Sequence, residues 1–124
     1  MEQLIMSLEL DLLEKSIIES IVESHLVTHA FLRDQVTNIS VKCREYTGIG
    51  IYIHFAFDNQ QELPNELSND MTYLGSEKIY QLDTLKYPIS FELNLTKKGL
   101  LDFLEIVRNG DESWDGTYGS FSIR

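Results

Sequence analysis

Cysteine is almost missing from this sequence: Cys43 is the only one among 124 residues, which excludes an intrachain disulfide. Neither glycine nor proline occurs in residues 1–47, so nothing there imposes a break on a helix. Basic residues number ten against twenty acidic ones. The resulting net charge of −10 argues against nucleic acid or an anionic membrane as the main partner. Long apolar runs are absent too. The most continuous, Ile49 to Phe57, is about half the length of a membrane-spanning helix, and His54 interrupts it. Met1-Glu2-Gln3-Leu4 carries no basic residue, so the secretory signal pattern is not met. The expectation is a soluble, cytoplasmic protein.

What is present is an ordinary globular composition, 43% hydrophobic and 24% charged, at the length of a single domain spanning residues 1–124. Chains of this size bury roughly two-thirds of their unfolded surface, enough for a core without a metal or a disulfide. The acidity is concentrated. Residues 1–38 hold seven acids and two bases, and residues 58–77 hold five acids and no base. The segments with strand-like alternation are close to neutral.

Leu10, Leu13, Ile17, Ile18, Ile21 and Val22 recur at helical spacing with acids between them, which predicts a helix. Ser24 is placed to cap a second helix from about His25 to Val36; one bent helix is the alternative. The period then becomes alternating. Ile39, Val41 and Cys43 share one side of a first strand, with Ser40, Lys42 and Arg44 on the other. After the Tyr46-Thr47-Gly48 turn, Ile49, Ile51, Ile53, Phe55 and Phe57 oppose Tyr52, His54 and Ala56, completing a hairpin. Residues 58–70 form a long polar loop of the kind that tends to be functional. Further strands are expected at Lys78–Leu82, Ile89–Leu95, Leu100–Val107 and Ser120–Ile123. The fold class is α+β: an N-terminal helix or helix pair packed on a mostly antiparallel sheet of five to six strands. Ile49, Ile51, Ile53, Phe55, Phe91 and Leu93 should be buried and face the Ile17/Ile21 stripe.

The chemistry-bearing residues are few. His25 and His29 have metal-ligand spacing on a helix, but neither a His-Glu-x-x-His pattern nor paired cysteines supply a third ligand. No metal and no cofactor are expected. Cys43 has cationic neighbours, yet alternation assigns it to the apolar side, as a buried thiol. Gly48-Ile49-Gly50 lacks the third glycine and the following helix of a phosphate loop, and reads as turn glycines. Arg44, Glu45, Tyr46, Tyr52 and His54 form the best polar cluster. The hairpin should bring Arg44 near Tyr52 or His54, making these three the candidate ligand face. His54 has general-base chemistry available, but no nucleophile or oxyanion donor stands beside it in the sequence, so no catalytic residue is assigned. Trp114, between Asp111, Glu112 and Asp115, is either an interface anchor or a lid folded over the sheet edge.

Two stretches carry a resemblance. Arg44-Glu45-Tyr46-Thr47-Gly48-Ile49-Gly50-Ile51-Tyr52 resembles the Arg-Glu-x-Thr-Gly-x-Gly-aromatic-aromatic segment of a group of small, functionally uncharacterised bacterial proteins. Leu95 to Glu105, with Gly99, Leu101 and Leu104-Glu105, is similar to the later Gly-x-Leu-x-x-Leu-Glu hairpin of that group, and Trp114 comes after it where the group tends to place a tryptophan. The likeness runs from about Leu32 onward. Ile51 replaces a usual aromatic and Ile106 a frequent glycine. Proteins of this look are often encoded beside secreted toxins, so the resemblance implies an immunity protein.

The reading is a non-enzymatic binding protein, an immunity or antitoxin protein that neutralises a basic, nuclease-like toxin. Its expected contact residues are Glu62, Glu66 and Asp70 in the middle loop, beside Asp58, together with Asp111, Glu112 and Trp114. The rivals are a small ligand-binding or enzymatic domain using Arg44, Tyr52 and His54, and a homo-oligomeric module. The oligomer is suggested by Leu100, Leu104 and Ile106 opposing Leu101 and Phe103, which would make the last hairpin apolar on both faces; a homodimer is its simplest form.

Overall fold

A computed structural model describes residues 9–57 and 72–124. Helix α1 (Leu12–Ser24) starts at a capping box. The Asp11 carboxylate accepts the Glu14 N–H at 2.8 Å, and Glu14 Oε1 accepts the Asp11 N–H at 2.9 Å. Its apolar stripe of Leu13, Ile17, Ile18, Ile21 and Val22 is buried. The expected second helix from His25 is shorter than its spacing suggested. Residues 25–31 form turns, and α2 covers only Leu32–Val36. Ser24 does not cap it: the Ser24 hydroxyl donates back to the Ser20 carbonyl at 2.8 Å, within α1, and α2 begins at Phe31 without a side-chain cap. Val27 is almost fully exposed, while Leu26, His29 and Phe31 turn inward.

Seven strands come next among the described residues: β1 (Ile39–Tyr46), β2 (Gly50–Phe57), β3 (Tyr73–Leu74), β4 (Tyr80–Leu82), β5 (Ser90–Leu95), β6 (Leu101–Val107) and β7 (Phe121–Ile123). Five of them make an antiparallel sheet in the order β1-β2-β6-β5-β3. Strand β4, expected as part of that sheet, pairs with β7 in a separate two-stranded sheet, while the short β3 was not expected. The fold is α+β. Ile51, Ile53, Phe55, Leu93, Leu95, Leu104 and Ile106 line one sheet face and join the α1 stripe in a single buried cluster. Tyr80 closes the cluster at one end, its hydroxyl 2.8 Å from Ser16 Oγ on α1 and its ring edge-on to Phe91 at 5.4 Å. Two of the expected core residues differ: Ile49 sits in the β1–β2 turn and is 46% exposed, and Phe91 is half-buried.

Glycine is required at two places in that turn region. Gly48 adopts φ 88°, and a Cβ on Gly50 would collide with the Ile106 carbonyl oxygen of β6.

Two bulges overturn the simple alternation. Val41 pairs with Phe55 and Cys43 with His54, which leaves Lys42 as an extra residue in β1. Beyond it every side chain changes face. Cys43, expected in the core, is exposed, while Arg44 turns to the helix side opposite the fully buried Ile53. In β6, Phe103 pairs with Asn94 and Leu101 with Leu95, so Asp102 is the extra residue. Leu101 therefore lies buried with Leu104 and Ile106 rather than opposite them, and the last hairpin is not apolar on both faces.

Candidate partner-binding face

The sheet face turned away from α1 carries the polar chemistry. Because Ile51, Ile53, Leu104 and Ile106 point into the core, Tyr52, His54, Phe103 and Glu105 must point out. Antiparallel pairing aligns them in rows. Glu45, Tyr52, Glu105 and Glu92 stand opposite one another across β1, β2, β6 and β5. In the next row Cys43, His54, Phe103, Asn94 and Tyr73 cross all five strands. The rings of Tyr52, His54 and Phe103 form a triangle with centroids 5.7, 5.8 and 6.4 Å apart. His54 Nε2 lies 2.5 Å from Glu45 Oε1 on the neighbouring strand. The negative charge of Glu105 raises the Tyr52 phenol above its ordinary pKa, and Glu45 adds to this. The result is an aromatic patch held between carboxylates.

Of the three residues expected to form a ligand face, Tyr52 and His54 are together and Arg44 is not. The bulge at Lys42 carries the Arg44 guanidinium to the far side of the sheet. There its Nε and Nη2 donate to both Glu14 oxygens at 2.8 and 2.7 Å, and Nη2 donates to the Glu9 carbonyl at 3.1 Å. Glu14 is 2% exposed, and its carboxylate raises the Arg44 pKa. Arg44 is thus a structural clamp on the start of α1. Glu45, which simple alternation would put on the side of Val41, reaches the open face through the same bulge, and Phe103, Glu105 and Glu92 complete it. The signal for them was the alternation of Phe103 and Glu105 with buried Leu104 and Ile106, but it becomes readable only once β6 is known to lie beside β2.

The second expected patch is differently built. Trp114 is 4% exposed: its backbone N–H donates to the Gly48 carbonyl at 3.0 Å and its indole N–H to the Thr117 carbonyl at 2.8 Å. It is the lid rather than the exposed anchor, because the turn glycines let the 108–119 segment close over the β1–β2 turn. Glu112 accepts the Lys86 N–H at 2.7 Å, and its carbonyl accepts from Arg108 Nε, so it organises the loop. Asp111 remains exposed. Asp115 is held below the ordinary aspartate pKa by the Thr117 hydroxyl and N–H. Asp58, Glu62, Glu66 and Asp70 lie outside the described residues.

His25 and His29 approach edge-on, with ring centroids 5.9 Å apart. His25 Nε2 engages the Gly75 carbonyl at 3.0 Å, and buried His29 has its Nδ1 2.8 Å from the Thr28 hydroxyl. Among the described residues no group of three or more His, Cys, Asp or Glu side chains is placed to hold a metal ion, and no helix is long and apolar enough to cross a membrane. A groove of about 600 Å³ lies between α1 and the start of β1, lined by Leu10, Lys15, Glu19, Val36 and Ile39 among others. It mixes both charge signs, whereas the open sheet face is acidic around its rings. No family model, curated protein or solved structure matches this chain.

Proposed function

We propose that this chain is a non-enzymatic binding protein that receives a basic protein partner on the open face of its five-stranded sheet, in the manner of an immunity protein against a nuclease-like toxin. The observation that carries the reading is the row Glu45–Tyr52–Glu105–Glu92 beside the Tyr52–His54–Phe103 triangle. The half-buried rings supply the apolar contact that slows dissociation, and the flanking carboxylates steer a cationic surface toward it. The net charge of −10 extends the same attraction over longer range. The resemblance carried by Arg44 to Tyr52 and by Leu95 to Glu105 supports an immunity role.

The rival readings fare less well. A ligand or catalytic face built on Arg44, Tyr52 and His54 loses its cation, since Arg44 is bound to Glu14 on the other side. Face-to-face stacking of two copies would set Glu45, Glu92 and Glu105 against like charges, which costs affinity.

The test uses the product of the gene adjacent to this one as the partner. Changing Glu45 and Glu105 together to Lys should slow association by about tenfold or more and flatten its salt dependence. Phe103→Ala should mainly speed dissociation. Tight binding that ignores all three substitutions would place the interface elsewhere. Absence of binding by the neighbouring product would remove the immunity reading.

A further inference from the structure

We infer that the open face is a seat for arginine side chains, shaped to take a guanidinium in preference to the ammonium of lysine. This rests on the reading of the face as the docking surface for a basic partner, and narrows it to one side-chain chemistry.

The rings set the preference. The planes of Tyr52, His54 and Phe103 are inclined to one another by 33° to 70°, so the three form a shallow triangle instead of a stacked column. A planar cation laid across such a triangle has more than one ring plane to align with. Guanidinium is flat and weakly hydrated, and it stacks on rings besides attracting them through charge; ammonium holds its water and acts as a point charge.

The carboxylates set the orientation. Glu45 and Glu105 occupy the same row as Tyr52, one strand to each side, which puts their backbones about 5 Å from it. They flank the rings where the fork of guanidinium N–H donors projects, and charge-assisted bonds to carboxylate are the strong ones. Glu45 gives one oxygen to His54 and keeps further acceptor positions. Glu92 continues the acidic margin beyond Glu105.

The chain keeps its own guanidinium out of this place. An unbulged β1 would direct Arg44 onto the face; the extra residue Lys42 sends it to Glu14 instead. Lys42 itself is exposed beyond Cys43, on the side away from Glu45 along the strand. The seat therefore presents acids and rings to an incoming cation, with Arg44 drawn away to Glu14.

The experiment titrates the whole protein with two short flexible peptides that are identical except for arginine or lysine, monitored by NMR shifts. The arginine peptide should bind at least about fivefold more tightly, with shifts concentrated at Tyr52, His54 and Phe103. Tyr52→Leu should bring the two peptides to within about twofold, whereas Glu105→Gln should weaken both. Phe103→Leu serves as a second ring variant if Tyr52→Leu does not fold. Equal affinity of both peptides, shifts away from the three rings, or no arginine-peptide binding at millimolar concentration would each overturn the seat. Those outcomes are separate from the partner test: a neighbouring gene product whose association still depends on Glu45 and Glu105 would leave the docking face standing and remove only the arginine preference.

Discussion

Removing the Arg44 guanidinium tests whether that residue belongs to the core side of the sheet or to a ligand face. In Arg44→Met the Glu14 carboxylate, 2% exposed, loses both charged donors and stays buried beneath the start of α1. Breaking a buried pair by deleting one partner costs about 3–5 kcal/mol. The Arg44 side chain is 18% exposed, so water reaches the site in part and the lower end, about 3 kcal/mol, is expected. Loss of the bond from Nη2 to the Glu9 carbonyl adds to it. Glu14→Gln should cost less, about 1–2 kcal/mol, because an amide oxygen can still accept the Asp11 N–H and complete the capping box. The double substitution should then be less destabilised than the sum of the two, with a coupling of about 1–3 kcal/mol. Urea unfolding at constant m-value measures all three. Against a total stability of about 5–15 kcal/mol the Arg44→Met effect is easily resolved. A cost below about 1 kcal/mol, together with lost partner binding, would return Arg44 to the open face and refute the bulge argument.

Fluorescence and pH provide three further tests. Trp114 should emit as a buried indole in the native state, and Trp114→Ala should destabilise by about 3–5 kcal/mol; emission at the exposed wavelength would contradict its lid position. Asp83, held low by the Gly119 and Ser120 N–H groups, and Asp115, held low by Thr117, both have folded pKa values below their unfolded ones. Their contribution is present above about pH 4 and is lost as pH falls through the folded values, so the urea midpoint should decline in acid and do so less in Asp115→Asn. Tyr118, whose hydroxyl accepts the Leu13 N–H at 3.2 Å, is pushed up to about 12 by burial. The fold favours its neutral form, so its contribution is present below about pH 10 and is lost as pH rises toward the folded value; alkaline denaturation of Tyr118→Phe should lack that component.

Much of the architecture was legible because it depends on period. The spacing from Leu13 to Val22 and the alternation from Ile51 to Phe55 each report which side of an element is apolar, and both faces proved buried. The reversed facings within the strands have one shared cause. A bulge is a single extra residue with no composition of its own, and neither Lys42 nor Asp102 announces itself, yet each reverses the facing of the strand on its far side. Counting in twos past such a residue puts Cys43, Arg44 and Leu101 on the wrong side. Trp114 was ambiguous for a different reason: its acidic neighbours suggest solvent, but Gly110 and Gly116, at φ 84° and 90°, let the backbone fold the indole inward. The rows of the open face depend on strand order, which alternation within one strand does not contain. Alternation therefore identifies Tyr52 and His54 but not Phe103 and Glu105.

The position of β2 between β1 and β6 also shapes how the molecule comes into being. Ile51 and Ile53 find one neighbour in the adjacent hairpin, but their other partners, Ile106 and Leu104, are synthesised roughly fifty residues later. During that interval the growing chain holds an apolar hairpin and an apolar helix whose shared cover has not yet been made. The Tyr118 hydroxyl that meets the start of α1, and the Trp114 that seals the turn, arrive later still. Stable tertiary structure must therefore wait until most of the chain is available, and the intermediate is the stage most exposed to aggregation. The Lys42 bulge sits on β1, which stays an edge of the finished sheet, where a kinked and charged strand is poorly able to recruit a second chain.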